Sequence, residues 1–79
     1  MKKYYDAMYR VFNHTYELCL NCEDKSIKRS RIADMYEILG GVLEVAVCDD
    51  EITPENGWYS ILHLRTHLYD VARIYFLVE

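Results

Sequence analysis

Residues 19–22 read CLNC and residues 63–70 read HLRTHLYD, so a chain of 79 residues holds a Cys-x-x-Cys pair and a His-x-x-x-His pair. Two cysteines three apart can supply half of a zinc site or act as a redox dithiol. Histidines four apart on a helix project side by side and can chelate one metal ion. Cys19, Cys22, His63 and His67 together make a nominal four-ligand set. The gap of about 40 residues between the pairs matches no compact zinc-finger spacing. Cys19 and Cys22 also belong to an apolar stripe, whereas His63, His67 and Asp70 fall on the opposite side of theirs, so the pairs are expected to face different ways. No βαβ pattern surrounds the dithiol, as a thioredoxin-like site requires. Packing is the reading for the cysteines, and Cys48, at the end of an apolar stretch, is expected to be buried filler. No cofactor is expected, and His63 and His67 stay only as weak metal candidates.

Other chemistry finds less support. Ser26, Ser30 and Ser60 are the only serines, none in a strand-turn-helix elbow, and no glycine-rich phosphate loop occurs. Asp34 and Glu37 stand three apart on one helix face, where paired carboxylates are ordinarily solvated charge. The expectation is a protein that is not an enzyme.

Any site must be positioned by elements that the apolar spacing defines. Tyr4, Tyr5, Met8, Val11, Phe12, Thr15, Leu18, Cys19 and Cys22 recur at threes and fours, which predicts a helix over residues 3–20. Asp24 or Ser26 can cap a second helix running from about 26 to 48. Its wide apolar face holds Ile32, Met35, Tyr36, Leu39, Val42, Leu43 and Ala46, broadened by Ile38, Val45 and Val47. Gly40 and Gly41 interrupt it at about 1 kcal/mol each relative to alanine, which calls for a close approach of another helix or a break. The β-branched run VLEVAV at 42–47 leaves an α+β alternative, with a short strand or hairpin near 42–52. Thr53 and Pro54 then suit the start of a third helix. Trp58, Ile61, Leu64, Leu68, Val71, Tyr75 and Val78 follow it at near-heptad spacing. Short connections make neighbours antiparallel, so residues 1–79 are expected to form one all-α domain, a small antiparallel three-helix bundle.

A single core this small supplies only about 3 to 5 kcal/mol without a staple or partner. The apolar closing run IYFLV exceeds what one thin bundle can cover, and both arguments point to a homodimer. No apolar stretch reaches the roughly 20 residues that span a bilayer. The N-terminal lysines precede no signal-like apolar run, because Asp6 and Arg10 interrupt it. With an odd count of three cysteines, reduced thiols in the cytoplasm are expected, and the sequon at Asn13 is then without meaning.

Charge is divided along the chain. Up to Arg31 there are seven Lys and Arg against four Asp and Glu; from Ile32 onward there are two against nine. Lys25, Lys28, Arg29 and Arg31 cluster at the start of the second helix, where cations oppose the helix dipole. They suit a phosphate or acidic contact, and the alternative function is a small dimeric nucleic-acid-associated regulator that uses this cluster. Against it, Asp34, Glu37, Glu44, Asp49, Asp50, Glu51 and Glu55 run without an intervening basic residue. A single-sign acidic surface attracts basic grooves, including those evolved to hold nucleic acid. Direct binding of nucleic acid by so acidic a chain is not expected. Eight tyrosines exceed what the core can bury with every hydroxyl paired, so some must lie on the surface, with Tyr9, Tyr16, Tyr59 and Tyr69 at the stripe edges.

No motif ties the chain to a family. Its small, acidic, tyrosine-rich profile is similar to that of phage- or plasmid-encoded inhibitors such as anti-CRISPR proteins, a likeness of profile that carries no residues across. It implies a non-enzymatic module that binds a larger basic, nucleic-acid-handling protein or complex. Asp49, Asp50, Glu51, Glu55 and Glu44, with Tyr59 and Tyr69, are the expected contact residues.

Overall fold

The computed structural model describes residues 2–78 and holds three helices: α1 (Lys2–Leu20), α2 (Lys25–Val47) and α3 (Trp58–Leu77). Near the C-terminal end of α1, Tyr16 packs on Tyr75 and Phe76 near the C-terminal end of α3. At the other end Lys3 and Tyr4 meet Asp49, just beyond α2. The helices therefore run up, down and up, as a three-helix bundle 42 Å long and 16 to 18 Å across.

Each helix forms for a local reason. Asp24 caps α2: its Oδ1 accepts from the backbone N–H of Ser26 at 2.8 Å and of Ile27 at 3.3 Å. That satisfies two of the donors a helix start leaves orphaned. The core is built where the faces meet, with Met8, Cys19, Ile32, Met35, Leu39, Ala46 and Ile61 almost wholly excluded from water.

The all-α expectation holds and its α+β alternative falls, while three other sequence expectations need correction. Residues 42–47 are not a strand, for α2 continues through Gly40 and Gly41 to Val47. Leu39, Leu43 and Ala46 bury one side at helical spacing, which an alternating strand would split between two faces. The third helix does not begin at Pro54. Thr53 and Asn56 exchange backbone hydrogen bonds across a tight turn, with Pro54 inside it. Proline's fixed φ suits that turn as well as a helix start. Gly57, at φ 101°, then caps α3 from a left-handed conformation that residues with a Cβ rarely adopt. Along α3 the buried positions are Ile61, Leu68, Ala72 and Phe76, while Val71, Tyr75 and Val78 face solvent. A straight helix drifts by about 20° per heptad, and the buried line follows steps of four from Leu68 to Ala72 and Phe76 instead. Finally, Cys48 is exposed, one residue past the point where α2 stops.

Candidate functional site

The acidic segment after α2 is an ordered connection. Ile52 is buried beneath it, the Asn56 side-chain amide donates to the Glu51 carbonyl at 3.1 Å, and the Trp58 N–H donates to the Thr53 carbonyl at 3.1 Å. Asp49 anchors its start. The Tyr4 hydroxyl donates to Asp49 Oδ2, Lys3 Nζ lies 3.3 Å from the same oxygen, and the Glu51 N–H donates to Oδ1 at 3.0 Å. These donors, the Tyr4 hydroxyl first, hold the Asp49 carboxyl down at about 2. In turn the carboxylate pushes the Tyr4 phenol above its ordinary range. Asp49 is thus a clasp between α1 and the end of α2, engaged within its own chain.

The remaining acids are differently placed. Asp50, Glu51, Glu55 and Glu44 are all exposed, and none has a cation within ion-pair distance among the described residues. Glu44 also lines an open groove of about 410 Å³ between α2 and α3, with Glu37, Gly40, Leu43, Val47, Trp58 and Arg65. Arg65 forms part of its floor. The guanidinium lies over the Tyr36 ring, 3.7 Å from the centroid, and Nε donates to the Tyr36 carbonyl at 3.0 Å. Gly40 makes room for it, because a Cβ there would stand 2.6 Å from Arg65 Nη2. This is the close approach that a mid-helix glycine called for. Tyr59 is exposed near His63, whereas Tyr69 is half-buried and its ring is tilted against that of Tyr36, centroids 4.7 Å apart. At this end the Glu37 and Glu44 carboxylates line one groove with the half-exposed Trp58 ring.

The other expected residues lie elsewhere. In the basic cluster, Lys28 Nζ sits 5.8 Å from the centre of the Phe76 ring and Arg31 borders the α1–α2 side with His14 and Asp34. Lys25 has an interaction of its own, and Arg29 is exposed. His63 and His67 are exposed on α3, and among the described residues no three His, Cys, Asp or Glu side chains gather as a metal site. Cys19 is buried, which pushes its thiol above the usual range, with Cys22 adding in the same direction. The Cys22 thiol contacts the Asp24 carbonyl at 3.6 Å. The CLNC pair is the end of a packed helix and the turn that follows it. No described helix is long and apolar enough to cross a membrane.

Trp58 and Arg65 were not among the expected site residues. The apolar spacing of α3 assigns Trp58 to the core, and Arg65 gains its place only when Gly40 is brought opposite it. No family model, curated protein or solved structure matches the chain.

Proposed function

We propose that the chain is a non-enzymatic binding module whose acidic end engages a larger basic, nucleic-acid-handling protein or complex, in the manner of the phage- or mobile-element-encoded inhibitors that its profile resembles. One observation carries this reading. Glu44, Asp50, Glu51 and Glu55 are exposed and none is in an ion pair among the described residues, and Glu44 shares a groove with the partly exposed Trp58 ring. Glu44 and Asp50, at the C-terminal end of α2, work against that helix's dipole, so the fold gains nothing from their charge. A partner's lysine or arginine can pair with them while its aliphatic stem lies on an aromatic ring. Such charge complementarity chiefly raises the association rate and excludes wrong partners.

The test leaves Asp49 in place, because reversing it would break the clasp. A tagged Asp50→Lys, Glu51→Lys, Glu55→Lys triple variant is compared with wild type in capture from the source organism or its host at moderate salt. Wild type is expected to retain one large basic protein or nucleoprotein in stoichiometric amount, and the variant at least tenfold less with unchanged helical circular dichroism. Undiminished capture by the variant sinks the site. Capture of nucleic acid alone, lost as salt rises, would favour Lys25, Lys28, Arg29 and Arg31 instead.

A further inference from the structure

Arg65 is held more firmly than a surface arginine needs to be. Its guanidinium lies 3.7 Å from the centre of the Tyr36 ring, and Nε donates to the Tyr36 carbonyl at 3.0 Å. Seating it requires glycine at position 40, in the interior of α2, where glycine weakens a helix. Yet Nη1 and Nη2 have no hydrogen bond or ion pair among the described residues. No buried side-chain nitrogen there lacks a partner, so both atoms are open to water. The α2–α3 groove therefore holds a guanidinium fixed in place with its outer nitrogens unengaged. An arginine whose rotamer is already set binds a carboxylate or a phosphate with little loss of side-chain freedom.

Its neighbours decide between those two anions. On α2, Glu37 precedes Gly40 by three residues and Glu44 follows it by four, and both are exposed and line the same groove. Along the helix axis the two carboxylates stand roughly 4.5 and 6 Å to either side of the guanidinium's level. Charge therefore alternates along the groove: carboxylate, guanidinium, carboxylate. A nucleic-acid backbone, negative at every step, would meet both glutamates, and a uniformly basic segment would meet Arg65. Toward the α2–α3 connection, Leu43, Val47 and the half-exposed Trp58 wall the groove with apolar surface.

We propose that this groove takes one helix of a partner protein, carrying two basic side chains seven residues apart with an acidic one between them. The proposal rests on the reading that the chain binds a protein, and it names the segment bound. A helix laid along α2 reproduces the seven-residue spacing of Glu37 and Glu44. Its carboxylate meets the Arg65 fork, its cations meet the two glutamates, and an apolar side chain beyond them packs on Trp58.

Defined peptides test this. Two alanine-rich helical peptides carry arginines at i and i+7, a leucine one turn beyond each, and a glutamate at i+3 in one and i+4 in the other, one for each direction along the groove. They are titrated into isotope-labelled protein and followed by NMR, beside an all-basic peptide with lysine in place of the glutamate and a single-stranded oligonucleotide. One mixed peptide is expected to move the Gly40 amide and Trp58 indole N–H resonances and to bind about fivefold more tightly than the all-basic one, the worth of one exposed charge pair. Arg65→Gln, and Gly40→Ala, which keeps the charge but unseats it, should erase that preference with helical circular dichroism unchanged. Glu37→Gln and Glu44→Gln should each weaken the mixed peptide severalfold. An all-basic peptide that binds wild type as tightly, or a preference that survives Arg65→Gln or Gly40→Ala, would overturn the proposal. So would groove resonances that move with the oligonucleotide but with neither mixed peptide, or that stay still at millimolar peptide. Asp50, Glu51 and Glu55 do not line the groove, so the capture experiment stands apart: capture lost in the triple variant with no mixed peptide bound removes the groove and leaves the acidic end.

Discussion

Asp49 illustrates how one carboxylate can look like part of a binding surface and serve as a fastener. Its oxygens take the Tyr4 hydroxyl, the Glu51 N–H and the Lys3 ammonium, and its carboxyl is held at about 2 against an ordinary 3.8. A group whose folded pKa is depressed stabilises the fold above its unfolded value, and that contribution is lost as pH falls through the folded one. Asp49→Asn should therefore lower the melting temperature at neutral pH. The gap to wild type should shrink as the pH falls through about 4 and close near about 2. Parallel melting curves across that window would mean that the clasp contributes nothing. The thiols offer a second residue-scale check. Cys48 is exposed, Cys22 half-exposed and Cys19 buried, so a thiol reagent should label them in that order, Cys19 only when the bundle opens. Labelling of Cys19 as fast as Cys48 in the folded protein would contradict the packing described. Neither the clasp nor the exposure of Cys48 was legible from spacing. Tyr4 and Asp49 stand 45 residues apart, and Cys48 lies just where the helical period that predicted its burial stops.

At the scale of elements, the two adjacent glycines of α2 separate cleanly. Gly41 has nothing within 4 Å of where a Cβ would stand, whereas at Gly40 the Arg65 guanidinium occupies that space. Gly41→Ala should stabilise the chain by about 1 kcal/mol in urea unfolding, the ordinary cost of a helical glycine. Gly40→Ala should give little or none of that gain. Its methyl group displaces Arg65 from the Tyr36 ring, forfeiting a cation–π contact worth about 0.5 to 2 kcal/mol along with the bond to the Tyr36 carbonyl. Equal gains at both positions would show that Arg65 is not held there. Three helices could be read from apolar periodicity and their antiparallel order from the short connections, although Leu18 on α1 and Ile38, Val45 and Val47 on α2, marked for burial by the spacing, are exposed. The start of α3 could not, since Thr53 and Pro54 suit a turn as well as a helix. Its C-terminal half could not either, since Val71 and Tyr75 continue a heptad that only a supercoiled helix would bury.

For the whole molecule, the charge division along the sequence carries over into space only in part, for Lys2 and Lys3 lie at the acidic end, Lys3 on Asp49 itself. The acids of the α2–α3 connection gather at the end away from the C-terminal ends of α1 and α3, while Lys28 and the start of α2 lie beside Phe76 at the opposite end. Composition made an acidic surface legible, but not which acids are available: Asp49 is committed to Tyr4 and Lys3, and Tyr69 to Tyr36. The lone tryptophan adds something to this end. Trp58 lines the groove beside Glu44 and is partly open to water, while all eight tyrosines absorb at shorter wavelength. Excited to the red of tyrosine, the unlabelled protein emits from a single chromophore set at the groove, so a partner that dries the indole would shift that emission to the blue.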